Sequence, residues 1–242
     1  MGWYRHWFGT PYYKLLYGHR DEAEAQAWVE AIMSRWDLRP DARVLDLACG
    51  RGRHARWFAA KGLRITGADI SEESIAEARI AVPEAEFLVH DMRDALSRER
   101  FEGICCLFTS LGYFDDLADD QRVMDAVSAM LVPGGRFVLD FMNTPLVLRE
   151  LVETEAITAG GLTFQVQRKV EGEVLVKRIS VDDAGCSHAF EERVQALMPS
   201  QIEAMVVKAG LEVVDRTDGP DPLPFDPDRS ARFVLWARKP LA

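Results

Sequence analysis

Three acids and two glycines set out the chemistry this sequence can do. Asp46 closes a short apolar run and is followed by Leu47, Ala48, Cys49, Gly50, Arg51, Gly52 and Arg53. Lacking a Cβ, Gly50 and Gly52 can take the positive φ of a sharp turn and let backbone amides approach a bound molecule. A helix-like pattern resumes at 53–60, so its first N–H groups point into the turn with partial positive charge. Asp69 ends a second apolar run, where a carboxylate can accept both hydroxyls of a ribose. Asp91 and Met92 end a third, as a polar and then apolar pair. Together these residues suit a cofactor with an anionic or polyhydroxylated part. The spacing Gly50, Gly52, Ala55 also fits a relaxed dinucleotide fingerprint, which leaves a NAD-dependent oxidoreductase open.

The elements that must carry these residues alternate. Strand patterns at 44–47, 63–70, 86–92, 101–108 and 137–141 are separated by helical ones at 53–60, 71–80 and 119–131. That alternation predicts a parallel sheet with helices on both faces, and ligands on such sheets bind at the carboxyl ends of the strands. Asp46, Asp69, Asp91 and Phe108 all fall at those ends. Ser71 is placed to cap the second helix. The chain opens on Trp3, Tyr4, Trp7, Phe8, Tyr12, Tyr13 and Tyr17, then His19 and Arg20, and a helix over 21–36 whose apolar positions recur at helical spacing. Arg20, a rigid donor fork beside this aromatic cluster, is suited to a ligand carboxylate. Past the fifth strand the pattern becomes consecutive strands at 162–170, 174–181 and 188–197 with hairpin-turn chemistry between them, which predicts a small antiparallel sheet. Its charged face, with Arg168, Lys177, Arg178 and Arg193, reads as solvated. An amphipathic helix at 200–209 and strands at 211–214 and 233–237 close the chain.

Composition narrows the partners. At 242 residues and 48% apolar, the chain can bury a full core as one α/β domain over 1–242, with a helical lid over 1–37 and a β insertion over 155–198. A formal charge of −10 disfavours nucleic acid, since such binders rely on clustered Lys and Arg. Cys49, Cys105, Cys106 and Cys186 lack paired spacing and suit reduced, buried thiols. With no leader pattern or long apolar span, a soluble cytoplasmic protein without membrane partners is expected. His6, His19, His54, His90 and His188 show no metal-ligand spacing; His54 reads as solvated or capping, and His90 as orienting Asp91.

The run 45–52, Asp69 with Ile70, Asp91 with Met92, the 110–114 stretch Ser-Leu-Gly-Tyr-Phe and the Pro133, Gly134, Gly135 turn together resemble the class I S-adenosylmethionine-dependent methyltransferases. The likeness is to the small-molecule branch with a β-rich insertion after the fifth strand. It implies a Rossmann-like, seven-stranded, mostly parallel sheet, with the last strand inserted between the fifth and the sixth. The cofactor implied is S-adenosylmethionine, leaving as S-adenosylhomocysteine. Ala48, Gly50 and Gly52 would pass under its methionine part, Asp69 would hold the ribose, Ile70, Asp91 and Met92 the adenine, and Phe108 would contact the cofactor near the active site. Tyr13 and Arg20 would close over it from the N-terminal helices. Ala48 stands where many relatives carry the motif's first glycine, and as an L residue it is expected to keep ordinary φ. The stretch 109–113 replaces an Asn/Asp-Pro-Pro-Tyr-like element typical of amino methylation of bases or proteins.

The implied reaction is direct displacement onto a small-molecule acceptor whose identity, and whether O, N, S or C is methylated, stays open. No metal, triad or covalent nucleophile is needed, because the cofactor brings an activated methyl and a neutral leaving group. Tyr113, after the fourth strand, and Asn143, after the fifth, are candidates to orient the acceptor or take a proton. Beside the oxidoreductase, a non-catalytic cofactor-binding protein and an RNA or protein methyltransferase remain alternatives. Oligomeric state, monomer or a dimer through the β insertion, is open.

Overall fold

A computed structural model describes residues 3–18, 22–96, 100–220 and 223–241. Two short helices, α1 (Tyr4–Trp7) and α2 (Pro11–Leu16), precede α3 (Glu22–Trp36). Strand and helix then alternate through β1 (Arg43–Leu47), α4 (Arg53–Ala60), β2 (Arg64–Asp69), α5 (Glu72–Ala81), β3 (Glu86–Val89), β4 (Phe101–Cys106), α6 (Leu117–Met130), β5 (Leu131–Met142) and α7 (Thr144–Arg149). Four consecutive strands follow: β6 (Thr154–Ala159), β7 (Leu162–Glu171), β8 (Val174–Asp183) and β9 (Cys186–Gln195). The chain closes with α8 (Pro199–Lys208), β10 (Glu212–Thr217) and β11 (Arg232–Arg238).

The main sheet has seven strands in the order β10-β11-β5-β4-β1-β2-β3. Neighbours from β5 to β3 pair in parallel, and β11 lies antiparallel to both β5 and β10. Successive residues of a strand face opposite sides. Val44 therefore joins the core made with Trp28, Ile32, Phe58 and Ile75, whereas Leu45 joins the core made with Val123, Val127, Ile202 and Val206. So α3, α4 and α5 cover one face, and α6 and α8 the other. The chain winds outward in both directions from the β1–β4 junction. At such a switch point the carboxyl ends of the strands leave a crevice.

The second sheet, β6-β7-β8-β9, is antiparallel throughout. Its apolar face, Phe164, Val166, Ile179 and Val181, packs with Trp7 and Leu16 in a third core. The inserted sheet is thus the floor on which α1 and α2 rest, and this holds them over the crevice.

Several boundaries differ from the sequence expectation. β3 stops at Val89 and β4 at Cys106, because the residues beyond them turn into the site. β5 begins at Leu131 and runs through the Pro-Gly-Gly turn, where Gly134 and Gly135 exchange hydrogen bonds with Lys239 near the chain end. β6 has no counterpart in the sequence reading, since its alternation rests on small residues and one isoleucine. Cys186 is exposed, unlike the other three cysteines.

Candidate functional site

The turn after β1 alternates left-handed residues with ordinary ones: Ala48 takes φ 60°, Gly50 54° and Gly52 74°. The expectation that Ala48 keeps ordinary φ is therefore corrected. Its neighbours impose the conformation, because Cys49 N donates to Ala68 O at 3.1 Å and Gly52 N to Cys49 O at 3.0 Å. The two glycines have different tasks. Gly50 lines the cavity, and a Cβ there would meet nothing within 4 Å. Gly52 lies outside the lining, and a Cβ there would stand 2.9 Å from the Phe87 ring.

Asp69 ends β2 and closes this turn. One carboxylate oxygen accepts from Gly50 N and the other from Ser71 N, each at 2.9 Å. Burial pushes its carboxyl up, against the pull of the Ser71, Gly50 and Ile70 amides and of Arg51. Ser71 caps α5 as expected, its hydroxyl accepting from Ser74 N. After β3, Asp91 is held by Arg93, whose Nε and terminal nitrogen reach its two oxygens at 3.0 and 2.6 Å. His90 does not orient Asp91: its ring Nε2 lies 2.7 Å from the Asp94 carbonyl oxygen. Asp91 and Met92 both line the cavity.

Beyond β4, Phe108 takes φ 62° and Thr109 φ 55°. The Phe108 ring stacks on His54, with 5.3 Å between centroids and 19° between planes, and the Arg53 guanidinium lies 4.5 Å from its centroid. His54 is buried rather than solvated, and burial lowers it to about 3. Its Nδ1 is 3.9 Å from Oδ2 of Asp46, a fully buried carboxyl that burial raises to about 7. Asp46 Oδ2 and His54 Nε2 are buried without a hydrogen-bond partner among the described residues.

The roof comes from the N-terminal helices. Tyr4, Phe8, Tyr13 and Tyr17 line the cavity, with Phe8 5.0 Å from Tyr13 and 5.6 Å from Tyr113, centroid to centroid. Two polar clusters fasten this roof. Lys14 on α2 and Arg51 in the turn both bind Glu77 of α5, at 2.6 and 2.8 Å. Trp7 Nε1 and the Tyr17 hydroxyl donate to Glu192 of β9, and Lys177 of β8 donates to Tyr17. Lys177 is therefore largely buried against the roof and not solvated.

The result is a cavity of about 350 Å³ at the switch point. Of the residues singled out in the sequence, Tyr13, Ala48, Gly50, Asp69, Ile70, Asp91, Met92, Phe108 and Tyr113 line it. Gly52 and Asn143 do not line it. Asn143 is fully buried, and its amide donates to the carbonyls of Pro227 and Ser230, so it secures the 226–230 turn. Arg20 lies outside the described residues. Asp46, which the sequence placed at the strand ends, lines the cavity too, as do Arg53, His54 and Ser110, which were not named as site residues from the sequence. A helical-face reading of 53–60 signals only His54, one position into α4.

A seven-stranded sheet with this strand order and a cavity at its switch point defines a class I methyltransferase fold. A methyltransferase domain model matches residues 44–135. The dTDP-3-amino-3,6-dideoxy-alpha-D-glucopyranose N,N-dimethyltransferase of Streptomyces fradiae is 29% identical over 210 residues, covering 84% of this chain and 80% of that one. Matches to further curated relatives span about half of their length. Among solved structures, an S-adenosylmethionine-dependent methyltransferase from Clostridium acetobutylicum superposes with a TM-score of 0.82 at 20% identity, over 95% of this chain and 96% of that one. An amino pentose methyltransferase from Micromonospora echinaspora, solved with S-adenosylmethionine bound, gives 0.68 at 24% identity over 90% and 91%. The chain shares the fold of the class I S-adenosylmethionine-dependent methyltransferases, and residues 44–135 match a methyltransferase domain.

The cavity fits that cofactor on its own terms. The orphaned Asp46 oxygen offers an acceptor to a cationic ligand, the open face at Gly50 leaves room for one, and Asp69 and Asp91 present carboxylates beyond it. No helix among the described residues is long and apolar enough to cross a membrane.

Proposed function

We propose that this chain methylates an amine nitrogen of a small molecule, with S-adenosylmethionine supplying the activated methyl. The observation that carries this reading is the mixed lining of the cavity. We assign Asp69, Ile70, Asp91 and Met92 to ribose and adenine, with Gly50, Ala48 and Asp46 beside the methionine part. The clustered rings of Tyr4, Phe8, Tyr13 and Tyr113, with the Ser110 hydroxyl, we assign to the acceptor. A neutral amine attacks without a strong base and sheds its proton to water afterwards, so a lining furnished by tyrosines and a serine suffices. Tyr113 is the residue we assign to orienting the nucleophile, and Tyr13 to closing the roof. The activities of the relatives, N,N-dimethylation of dTDP-amino sugars among them, support nitrogen over oxygen. We further propose one domain over 1–242, with 1–37 as lid and 155–198 as insertion, acting in the cytoplasm, where the free thiols Cys49, Cys105 and Cys106 stay reduced.

The test is a panel of small amines, matched alcohols and thiols incubated with methyl-labelled cofactor, read by label transfer. Turnover of amines but not of their matched alcohols supports the reading. Transfer confined to alcohols, or to RNA or protein substrates, sinks it.

A further inference from the structure

Phe108 and Thr109 are consecutive non-glycine residues in the left-handed region just beyond β4, and Phe108 lines the cavity. For a β-branched residue such as Thr109 that conformation is costly and persists only when its surroundings impose it. The surroundings here are two residues from distant strands. Asp140 of β5 is fully buried. Its Oδ2 accepts from Phe108 N at 2.8 Å, and its backbone oxygen accepts from Thr109 N at 3.1 Å. Arg232, the first residue of β11, donates through Nε to Asp140 Oδ1 and through a terminal nitrogen to Oδ2, both at 2.7 Å. That same nitrogen donates to Thr109 Oγ1 at 3.0 Å.

We infer that Asp140 and Arg232 are positioning residues for the cofactor and acceptor site, acting by locking Phe108 and Thr109 in the left-handed turn that places the Phe108 ring. The Asp140 carboxylate accepts the Phe108 amide and its main-chain oxygen the Thr109 amide, and a bidentate guanidinium pairs with the carboxylate without blocking either. Burial works against the Arg232 charge, and Asp140 more than offsets this, so the guanidinium is pushed up from its ordinary value. The remaining donor of the fork reaches the Thr109 side chain, so the pair grips the turn by two backbone groups and one side chain. The product of the grip is the Phe108 ring on His54 and under Arg53, inside the cavity. The C-terminal strand thereby reaches the site without lining it. This inference rests on the reading of the cavity as a cofactor site.

The test compares S-adenosylhomocysteine binding by calorimetry for the full chain, Arg232→Met, and Arg232→Met with Thr109→Gly. Glycine adopts positive φ without support, so it replaces the grip by removing the need for it. The expected result is affinity weakened about tenfold or more in Arg232→Met, and restored to within about threefold when Thr109→Gly is added. A merely structural charge pair would lower the melting temperature without that rescue. Should Arg232→Met not fold, Arg232→Lys with and without Thr109→Gly makes the same comparison, since an ammonium keeps the charge but not the fork. Wild-type affinity in the Arg232 variants, or a loss that glycine leaves unrepaired, overturns the inference. A wild-type chain that binds no S-adenosylhomocysteine overturns the cofactor reading, and the inference with it.

Discussion

His54 turns its Nδ1 toward Asp46 Oδ2 at 3.9 Å, beyond hydrogen-bond distance, with both groups buried in the wall of the cavity. Burial holds the imidazole neutral, lowering it to about 3, and raises the carboxyl to about 7, so neither charge stabilises the other near neutrality.

The two groups make opposite contributions to stability against pH. Asp46 keeps its proton in the folded chain up to about 7, while the unfolded chain releases it near the ordinary value of 3.8. Its contribution is complete at low pH and is lost as pH rises through about 7. His54 contributes above its ordinary value of 6.5, and that contribution is lost as pH falls toward about 3. Asp46→Asn should therefore gain on wild type as pH rises, the difference growing by about 2–4 kcal/mol between pH ~4 and pH ~8. Denaturant melts at a series of pH values measure it, and a gap that does not widen with pH would refute the assignment.

Asp46 also predicts how the cofactor and its product differ. The sulfonium is cationic and the thioether neutral, so an ionised Asp46 should favour the former. Affinity for S-adenosylmethionine relative to S-adenosylhomocysteine is expected to rise as pH passes about 7 in wild type and to stay level in Asp46→Asn. Paired calorimetric titrations would show a flat ratio in both proteins if Asp46 does not face the cofactor.

Asp69 is the acid whose loss should cost the most binding. Two backbone amides hold its oxygens in place, and a ribose adds hydrogen bonds to a charged acceptor. Asp69→Ala should lose on the order of 1.5–3 kcal/mol of cofactor binding, roughly tenfold to a hundredfold in affinity. An unchanged dissociation constant for S-adenosylhomocysteine would remove Asp69 from the site.

The Tyr113 ring is held by Trp3 and Phe8, at 5.0 and 5.6 Å between centroids, independently of its hydroxyl. Tyr113→Phe should keep that packing, leaving S-adenosylhomocysteine affinity within about twofold, and lower turnover of an accepted amine about tenfold or more. Equal turnover would make Tyr113 a packing residue only.

Much of this arrangement was legible in the residues. Asp69, Ile70, Asp91 and Met92 each follow an apolar run, and a parallel sheet gathers strand ends whatever their side chains, so their convergence follows from the alternation itself. What local pattern could not show was long-range. Asn143 follows directly on β5 and sits at the strand's carboxyl end as Asp69 does at that of β2, yet it is taken up by the 226–230 turn that β11 brings against it. Asp140 and Arg232 are 92 positions apart and read singly as a strand acid and a surface cation. Ala48 shows the converse error. Intrinsic preference argued for ordinary φ, and the hydrogen bonds of its neighbours overrode it.

Gly50 and Gly52 test that distinction most directly, since in the sequence they look alike. Both take positive φ, so alanine strains either by about 1–2 kcal/mol. Their surroundings then separate them. A methyl at 52 would stand 2.9 Å from the Phe87 ring and 3.3 Å from Ala78, deep in the packing of α4 and α5 on the sheet. A methyl at 50 would meet no protein atom within 4 Å, because it would enter the space assigned to the cofactor. Gly52→Ala should therefore be the less stable variant, losing a further ~1–3 kcal/mol to overpacking. Gly50→Ala should stay nearer wild type in thermal melts while binding S-adenosylhomocysteine at least about tenfold more weakly. If Gly50→Ala binds normally and Gly52→Ala melts normally, the turn does not divide its glycines between ligand and core. Any other crossing of the two readouts would show that strain in the turn, rather than space beside it, governs both positions.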